Sequence, residues 1–281
     1  MAIATAPPGL QEHVLLTGGR RLRYLVGGEG PPLLLCHGFL GSAENFDAWF
    51  GGLLPLRTLV VPDLPGCGAS DPLAGVHTAA ALAVAVEPLV DHLGLLGFDL
   101  GGLCLGGTVA TALLRRRPEA VDRLLIHTPL LAPALVRRRF HLQVGALTAP
   151  GLYPAASWLA RRRLVSDLYK RFLVEGDDVD RDAAEANFRN QLRADPRATR
   201  EWLRNGLRID DAGLVLGRRA PTLLIAAADD SIVDIDAVRE LAREQPQITL
   251  AVDRGGHGWT ADSVAWQLAE IRRFLGASPA P

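Results

Sequence analysis

Short apolar runs alternate with longer helical periodicities along this chain, and that alternation limits the folds open to it. Arg21 to Val26, Leu33 to Cys36, Thr58 to Val61, Phe98 to Leu103, Arg123 to His127, Pro221 to Ala227 and Ile248 to Val252 read as strands. Thr78 to Leu93, Leu105 to Arg116 and Trp259 to Leu275 read as helices. The last has apolar residues at Val264, Leu268, Ile271, Phe274 and Leu275. Strands that alternate with helices predict an α/β fold: a mostly parallel sheet with helices on both faces. Between Pro129 and Gly217 the alternation gives way to a helical, arginine-rich pattern that includes Arg137 to Arg139, Arg161 to Arg163, Arg171, Arg189, Arg193, Arg200, Arg204 and Arg208. The expected organisation is a core of residues 1–128 and 218–281 with a helical cap, or lid, of residues 129–217.

Composition removes several function classes. With 48% apolar and 22% charged residues, the chain is not wholly disordered. A formal net charge of −1 argues against a chain-wide electrostatic nucleic-acid binder. Cys36, Cys67 and Cys104 are odd in number and form no spaced pair, so neither a disulfide framework nor a zinc site is expected. Met1 to Leu10 lacks a basic segment followed by an apolar one, which predicts no signal peptide. Leu93 to Leu114 is long and apolar, but it carries Asp99 and repeated glycines, so it reads as strand, tight turn and helix rather than a membrane span. A cytoplasmic protein with no membrane or nucleic-acid partner is expected.

The sharpest chemical signal is Gly102-Leu103-Cys104-Leu105-Gly106-Gly107, between an apolar strand and a helix. This is a nucleophile-elbow pattern with Cys where Ser is usual. A sharp strand-to-helix turn holds the nucleophile in a strained conformation, and side chains two positions to either side would collide. Gly102 and Gly106 meet that need. The helix N-terminus that follows favours a thiolate. Three further segments follow strands: His37-Gly38-Phe39, Asp63 to Ser70, and Ala228-Asp229-Asp230-Ser231. Gly255-Gly256-His257-Gly258 precedes the terminal helix. Candidates for nucleophile, acid and base thus occur in chain order: Cys104, then Asp229 or Asp230, then His257.

On these motifs the chain resembles the α/β-hydrolase superfamily, in its branch with a helical cap after the sixth strand. The resemblance covers residues 20 to 277. It implies Cys104 as nucleophile, His257 as general base and Asp230 as the acid that orients it. It also implies an oxyanion hole formed by the backbone N–H groups of Phe39 and Leu105. His37, Gly38 and Cys67 are candidate pocket residues, and Asp63 and Ser70 are expected to fix their loop by hydrogen bonds. Cys at the elbow departs from the family's usual Ser, and Leu103 from its frequent His.

A cysteine nucleophile gives a thioester acyl-enzyme, so exchange from a thioester substrate is nearly isoenergetic. The expectation is acyl transfer on a thioester or activated ester: a thioesterase or cyclase of polyketide or peptide natural-product assembly, needing no metal or cofactor. The partners would be a small-molecule acyl substrate and an acyl or peptidyl carrier protein docked on cap arginines, unless those form a plain solvated face. The alternatives are a lyase that eliminates a carboxylate, a Dieckmann-type cyclase, a plain carboxylesterase or C–C hydrolase, and a catalytically silent binding protein. Dieckmann cyclases of this superfamily carry their acid on the strand end after the nucleophile helix, and Leu125 to Ala132 has no Asp or Glu.

Overall fold

The buried apolar runs become the middle of one eight-stranded sheet. The computed structural model describes residues 6–149, 151–170 and 181–276, and Arg171 lies outside them. The strands are β1 (Leu10–Thr17), β2 (Arg20–Gly27), β3 (Pro32–Cys36), β4 (Thr58–Pro62), β5 (Phe98–Leu103), β6 (Val121–His127), β7 (Thr222–Ala227) and β8 (Ile248–Asp253). Their order across the sheet is β1-β2-β4-β3-β5-β6-β7-β8. β2 pairs antiparallel with β1 and with β4, and the remaining pairs are parallel.

β1 has no counterpart in the sequence reading. It is an edge strand whose Val14 and Leu16 face solvent, so its apolar residues do not mark a buried face. The other strands fall within two residues of their expected bounds at each end.

The helices, in chain order, are α1 (Asp47–Leu53), α2 (Ala79–His92), α3 (Gly106–Arg116), α4 (Arg138–Leu147), α5 (Leu152–Ala160), α6 (Arg163–Lys170), α7 (Arg181–Arg193), α8 (Pro196–Gly206), α9 (Ala212–Leu216), α10 (Ile235–Ala242) and α11 (Ala261–Gly276). Alternate strand residues face opposite layers. Leu34, Val60, Leu100, Ile126 and Leu224 pack with α2, α3 and α10. Leu33, Leu35, Val61, Leu125 and Ile225 pack with α1 and α11. Each such fully buried leucine contributes on the order of 2 kcal/mol of transfer free energy. Asp99, the charge inside the long apolar stretch, is buried and paired with Arg57 at 2.8 Å. Among the described residues no helix is long and apolar enough to cross a membrane.

Helices α4 to α9 all lie between β6 and β7. α8 seats this segment on the loop after β4. Asp195 N–H donates to Gly66 O at 2.8 Å, and a Cβ on Gly66 would stand 2.4 Å from the Ala198 Cβ. Glu201 Oε2 accepts from the His77 N–H at 2.9 Å and pairs with His77 Nδ1 at 2.9 Å. Arg197 donates to the carbonyls of Leu73, Ala74 and Gly75.

Candidate active site

β5 ends at Leu103, and Cys104 turns the chain into α3 with φ of 53°. A non-glycine residue in this left-handed region is strained, and the surroundings hold it there. The Cys104 N–H donates to His127 O at 2.8 Å, and the Gly107 N–H donates to Cys104 O at 2.9 Å. A Cβ on Gly102 would lie 2.5 Å from the Gly107 Cα, and one on Gly106 would lie 2.2 Å from Cys36 O. Both glycines are therefore required by backbone contact, as the motif predicts.

His257 and Asp230 meet across the loops after β8 and β7. His257 Nδ1 pairs with Asp230 Oδ2 at 3.1 Å. Asp230 Oδ1 also accepts from the N–H groups of Ile232 (2.7 Å) and Val233 (2.9 Å). Burial alone would raise the Asp230 pKa, but the charge and hydrogen bond of His257, with those two N–H groups, hold it below the usual value. Burial pushes His257 down. The Asp230 charge and hydrogen bond, aided by a hydrogen bond with Cys104, overcome this and hold it well above its usual value. Asp230, not Asp229, carries these contacts. Arg137 braces the acid's loop by donating from Nε to the carbonyl of Asp230 at 2.8 Å and that of Val233 at 3.1 Å.

Cys104 and His257 open into a cavity of about 720 Å³ lined by the strand-end loops and by α4 to α8. Its wall is mostly apolar, with Phe140, Val144, Leu203, Leu207, Ile232 and Trp259. Gly38, Phe39 and Leu105 line it beside the thiol, and a Cβ on Gly38 would sit 3.4 Å from that of Cys104. Neither the Phe39 N–H nor the Leu105 N–H donates to another acceptor among the described residues, so both stay available to an oxyanion.

His37 and Cys67 do not line the cavity, and their place among the pocket candidates is corrected. His37 is fully buried. The Leu64 N–H donates to its Nε2 at 2.9 Å, which leaves Nδ1–H to donate to Gly38 O at 2.8 Å. Burial holds its pKa below the usual value, so it is a neutral brace of the oxyanion loop. Cys67 is buried, and burial drives its thiol pKa up. Burial likewise drives Cys36 up, to about 12. Asp63 and Ser70 fix their loop as expected. Asp63 accepts from the N–H groups of Ala43 and Ala69, both at 2.8 Å, and Ser70 Oγ accepts from that of Arg23, also at 2.8 Å.

Sequence reasoning missed Asp47, Arg189, His127, Thr128 and Trp259 as lining residues. Only the positions of His127 and Thr128 at a strand end and of Trp259 two residues past His257 could have pointed to them. Among the described residues no group of three His, Cys, Asp or Glu is placed to hold a metal ion.

Known proteins match this architecture. Residues 31–144 match a family model described as the alpha/beta hydrolase fold. The chain is 29% identical over 280 residues to 2-hydroxymuconate semialdehyde hydrolase of Pseudomonas putida, covering 95% of this chain and 94% of that protein. It is 28% identical over 255 residues to polyketide synthase ThaQ of Burkholderia thailandensis, covering 88% of this chain but 12% of that much longer protein. The structure of a thermophilic esterase from Thermogutta terrifontis superposes with a TM-score of 0.75 at 24% identity, covering 95% and 98% of the two chains, a likeness of fold. Sheet order, strand-end loops and relatives agree that the chain is an enzyme of the α/β-hydrolase fold.

Proposed function

We propose that the protein is a cysteine-nucleophile acyl-transfer enzyme acting on a thioester or activated ester, of the thioesterase or cyclase type used in polyketide or peptide natural-product biosynthesis. The observation that carries this is a cysteine, not a serine, at the strained elbow, beside a His257–Asp230 pair and facing a large apolar cavity. The likeness to ThaQ supports the pathway class.

The Cys104 sulfur attacks the acyl carbonyl while His257 takes the thiol proton. Asp230 stabilises the imidazolium that results. The oxyanion sits between the N–H groups of Phe39 and Leu105. Collapse expels the substrate's thiolate, which takes the proton from His257 and leaves an acyl-Cys104 thioester. Water, or a nucleophile within the acyl chain, then attacks. His257 takes its proton and returns it to the departing Cys104 thiolate. Atoms and charge balance at each step, with no cofactor invoked.

In this reading residues 129–217 act as the lid, and the acyl chain lies against Phe140, Val144 and Leu207. A carrier protein would deliver it in the cytoplasm. Of the arginine runs, Arg137, Arg139 and Arg161 are spent on carbonyls and Arg163 on Asp167 and Glu185. Arg204 and Arg208, with His141, instead line a smaller pocket of about 370 Å³ that shares Val144 and Leu207 with the main cavity and has no carboxylate in its lining. They are the better candidates for carrier contact.

The test is intact-protein mass after mixing wild type and Cys104→Ala with acyl N-acetylcysteamine thioesters. A transient acyl increment on wild type alone is expected. An adduct on both proteins would assign reactivity to another cysteine. No adduct and no turnover would favour elimination chemistry or ligand binding without turnover. Plain hydrolysis is the second reading, favoured by the full-length likeness to a hydrolase, and free acid as the only product from every substrate would select it.

A further inference from the structure

The loop that carries Asp230 is held from two sides, and one of them belongs to the cap. On the first side the Ala228 N–H donates to Asp253 O at 3.0 Å and the Asp229 N–H to Gly255 O at 2.8 Å, which ties the loop to the segment leading to His257. On the other side lie residues 135–139, where the chain enters the cap. Val136 forms an antiparallel bridge with Val233. The Arg137 N–H donates to Ile232 O and the Asp234 N–H to Leu135 O, both at 2.8 Å. Arg137 Nε–H is shared between the carbonyls of Asp230 and Val233, at 2.8 and 3.1 Å, and Arg139 Nη2 donates to Ser231 O at 3.3 Å. Every residue from Asp230 to Asp234 is thus bonded through its main chain to the entrance of the cap.

These bonds stand at one end of α4. The helix runs on from Arg138 and brings Phe140, Val144 and Leu147 to the cavity wall, a spacing of i, i+4 and i+7 that puts all three on one helix face. At its far end Thr148 O accepts from Arg200 Nε and Nη2 of α8, at 3.0 and 2.8 Å. α4 is therefore a bar gripped at both ends by arginine-to-carbonyl bonds. One end is on the acid's loop, the other is on the rest of the roof, and the middle lies against the cavity. The Asp230 carboxylate takes its orientation from the same loop. Its Oδ1 accepts from the N–H groups of Ile232 and Val233, and the carbonyls of those two residues are the ones that Arg137 holds.

We propose that α4 and residues 135–139 couple the acyl chain to the Asp230–His257 pair, with Arg137 as the positioning residue. A chain long enough to pack on Phe140 and Val144 steadies α4, and through Arg137 it steadies the carboxylate that orients His257. A shorter chain leaves α4 without that support. The enzyme thus selects acyl groups by length through kcat as well as KM, because binding energy gained far from the reacting carbonyl is used to align the base. This rests on the acyl-transfer function proposed above and adds a substrate class to it: acyl chains long enough to reach α4. Arg137 itself touches no reacting atom.

Three variants separate this coupling from plain anchorage. Arg137→Met removes the side-chain donors and keeps the aliphatic length. Arg137→Lys returns a donor to the same carbonyls. Arg161→Met removes a guanidinium bound to Leu192 O and Ala194 O, both inside the cap. The substrates are N-acetylcysteamine thioesters of straight chains from acetyl to decanoyl. Wild type is expected to gain about ten-fold in kcat along the series as KM falls, the worth of one to two neutral hydrogen bonds. In Arg137→Met KM should still fall with length while kcat stays at its acetyl value. Arg137→Lys should restore most of the gain, and Arg161→Met should keep all of it.

His257 gives a readout that needs no substrate. The groups facing it are Asp230, Cys104 and the neutral His127, and Arg137 acts on the first of these. A histidine NMR titration, with the His257 signal assigned by its loss in His257→Gln, should show the His257 pKa lower in Arg137→Met than in wild type. It should be close to wild type in Arg137→Lys and unchanged in Arg161→Met. A wild-type kcat that does not change with chain length overturns the proposal. So does an unshifted His257 titration in Arg137→Met, or an equal effect of Arg161→Met. If Arg137→Met does not fold, Arg139→Met takes its place, with a smaller loss of the same kind. If wild type forms no acyl adduct with any thioester, the acyl-transfer reading is what fails, and the His257 titration alone then decides whether Arg137 positions the pair.

Discussion

The cavity has a floor and a roof, and they are held in different ways. The floor is the row of strand ends carrying Cys104, Asp230 and His257. Backbone sterics fix it: at Gly102 and Gly106 a single added carbon would strike main-chain atoms. The roof is α4 to α8. Its glycines include Gly145, where an added carbon meets nothing within 4 Å, and it leaves Leu152, Trp158, Leu164 and Leu168 exposed. Its attachment to the rest of the molecule runs through arginine-to-carbonyl bonds from Arg137, Arg139 and Arg197 and through the His77–Glu201 pair. Chemistry is thus placed where the main chain tolerates no variation, and substrate selection where side chains can be exchanged. Stated as free energy, the floor resists change by steric overlap and the roof by a sum of polar contacts worth about 1 kcal/mol each.

The strongest way to break this contrast is to add a side chain to each part. Gly106→Val places carbon against Cys36 O and His37 O, successive carbonyls at the end of β3 that cannot retreat without moving that strand. Overpacking of this kind costs 1–3 kcal/mol in side-chain cores and more against main chain. We expect an unfolding midpoint lowered by on the order of 10 °C and no acyl adduct. Gly145→Ala in α4 should instead raise stability by roughly 0.8 kcal/mol through helix propensity. Thermal unfolding of the two variants measures both, and equal destabilisation would erase the distinction between floor and roof.

Asp230→Asn tests the floor's electrostatics. The carboxylate charge holds the His257 proton, so its removal lets the His257 pKa fall toward and below the usual value. The acidic limb of the kcat/KM profile assigned to His257 should move to lower pH, while kcat falls about 10⁴-fold as the imidazole loses its orienting partner. The same pair sets a stability window. The raised His257 pKa gives stability that is present below its unfolded pKa and lost as pH rises through the folded one. The lowered Asp230 pKa gives stability that is lost as pH falls through its own. In Asp230→Asn both contributions vanish, and the pH dependence of unfolding should flatten at each end. An unmoved kinetic limb would assign that limb to another group.

Glu201→Ala tests the roof's anchorage. It leaves the buried His77 N–H without its acceptor, a loss of about 1–3 kcal/mol. Because α8 also lines the cavity through Leu203, KM should rise more than kcat falls. A change in kcat with KM fixed would mean that α8 reaches the floor directly.

How much of this was legible in the sequence follows the same division. Cys104, Asp230 and His257 were readable because an elbow demands glycine at fixed offsets and because each residue follows a buried run. Asp63 and Ser70 were readable as loop fasteners for a similar reason. His37 and Cys67 were placed in the pocket on proximity in sequence, yet the first turns its ring to the Leu64 N–H and the second is buried away from the cavity. β1 escaped because its outward apolar residues invert the pattern that marks a buried face. Thr128 and His127 escaped because nothing in one sequence announces a left-handed threonine or a ring held between two tryptophans from distant segments. What the arginine runs bind is hidden from the sequence for a physical reason. A guanidinium has five donors, and Arg137 and Arg161 spend theirs on carbonyls at the ends of helices and loops, contacts that only folding creates.

The smallest expected effect comes from the arginines that are not spent in this way. Arg204 and Arg208 stand one turn apart on and just after α8, facing a pocket with no carboxylate, so each raises the local potential felt by an incoming anion. Replacing both with alanine should leave the unfolding midpoint and the rates with N-acetylcysteamine thioesters within error. It should raise KM several-fold for acyl groups presented on a carrier or a phosphopantetheine arm, and the difference should shrink in added salt, because exposed charges act through a screened field. The same substitutions at Arg137 and Arg139 cannot make this test cleanly, because Arg137 holds the carbonyl of Asp230 and its loss would disturb the floor. Equal loss on small and carrier-bound substrates after Arg204→Ala and Arg208→Ala would show that these arginines, too, belong to the anchorage of the roof.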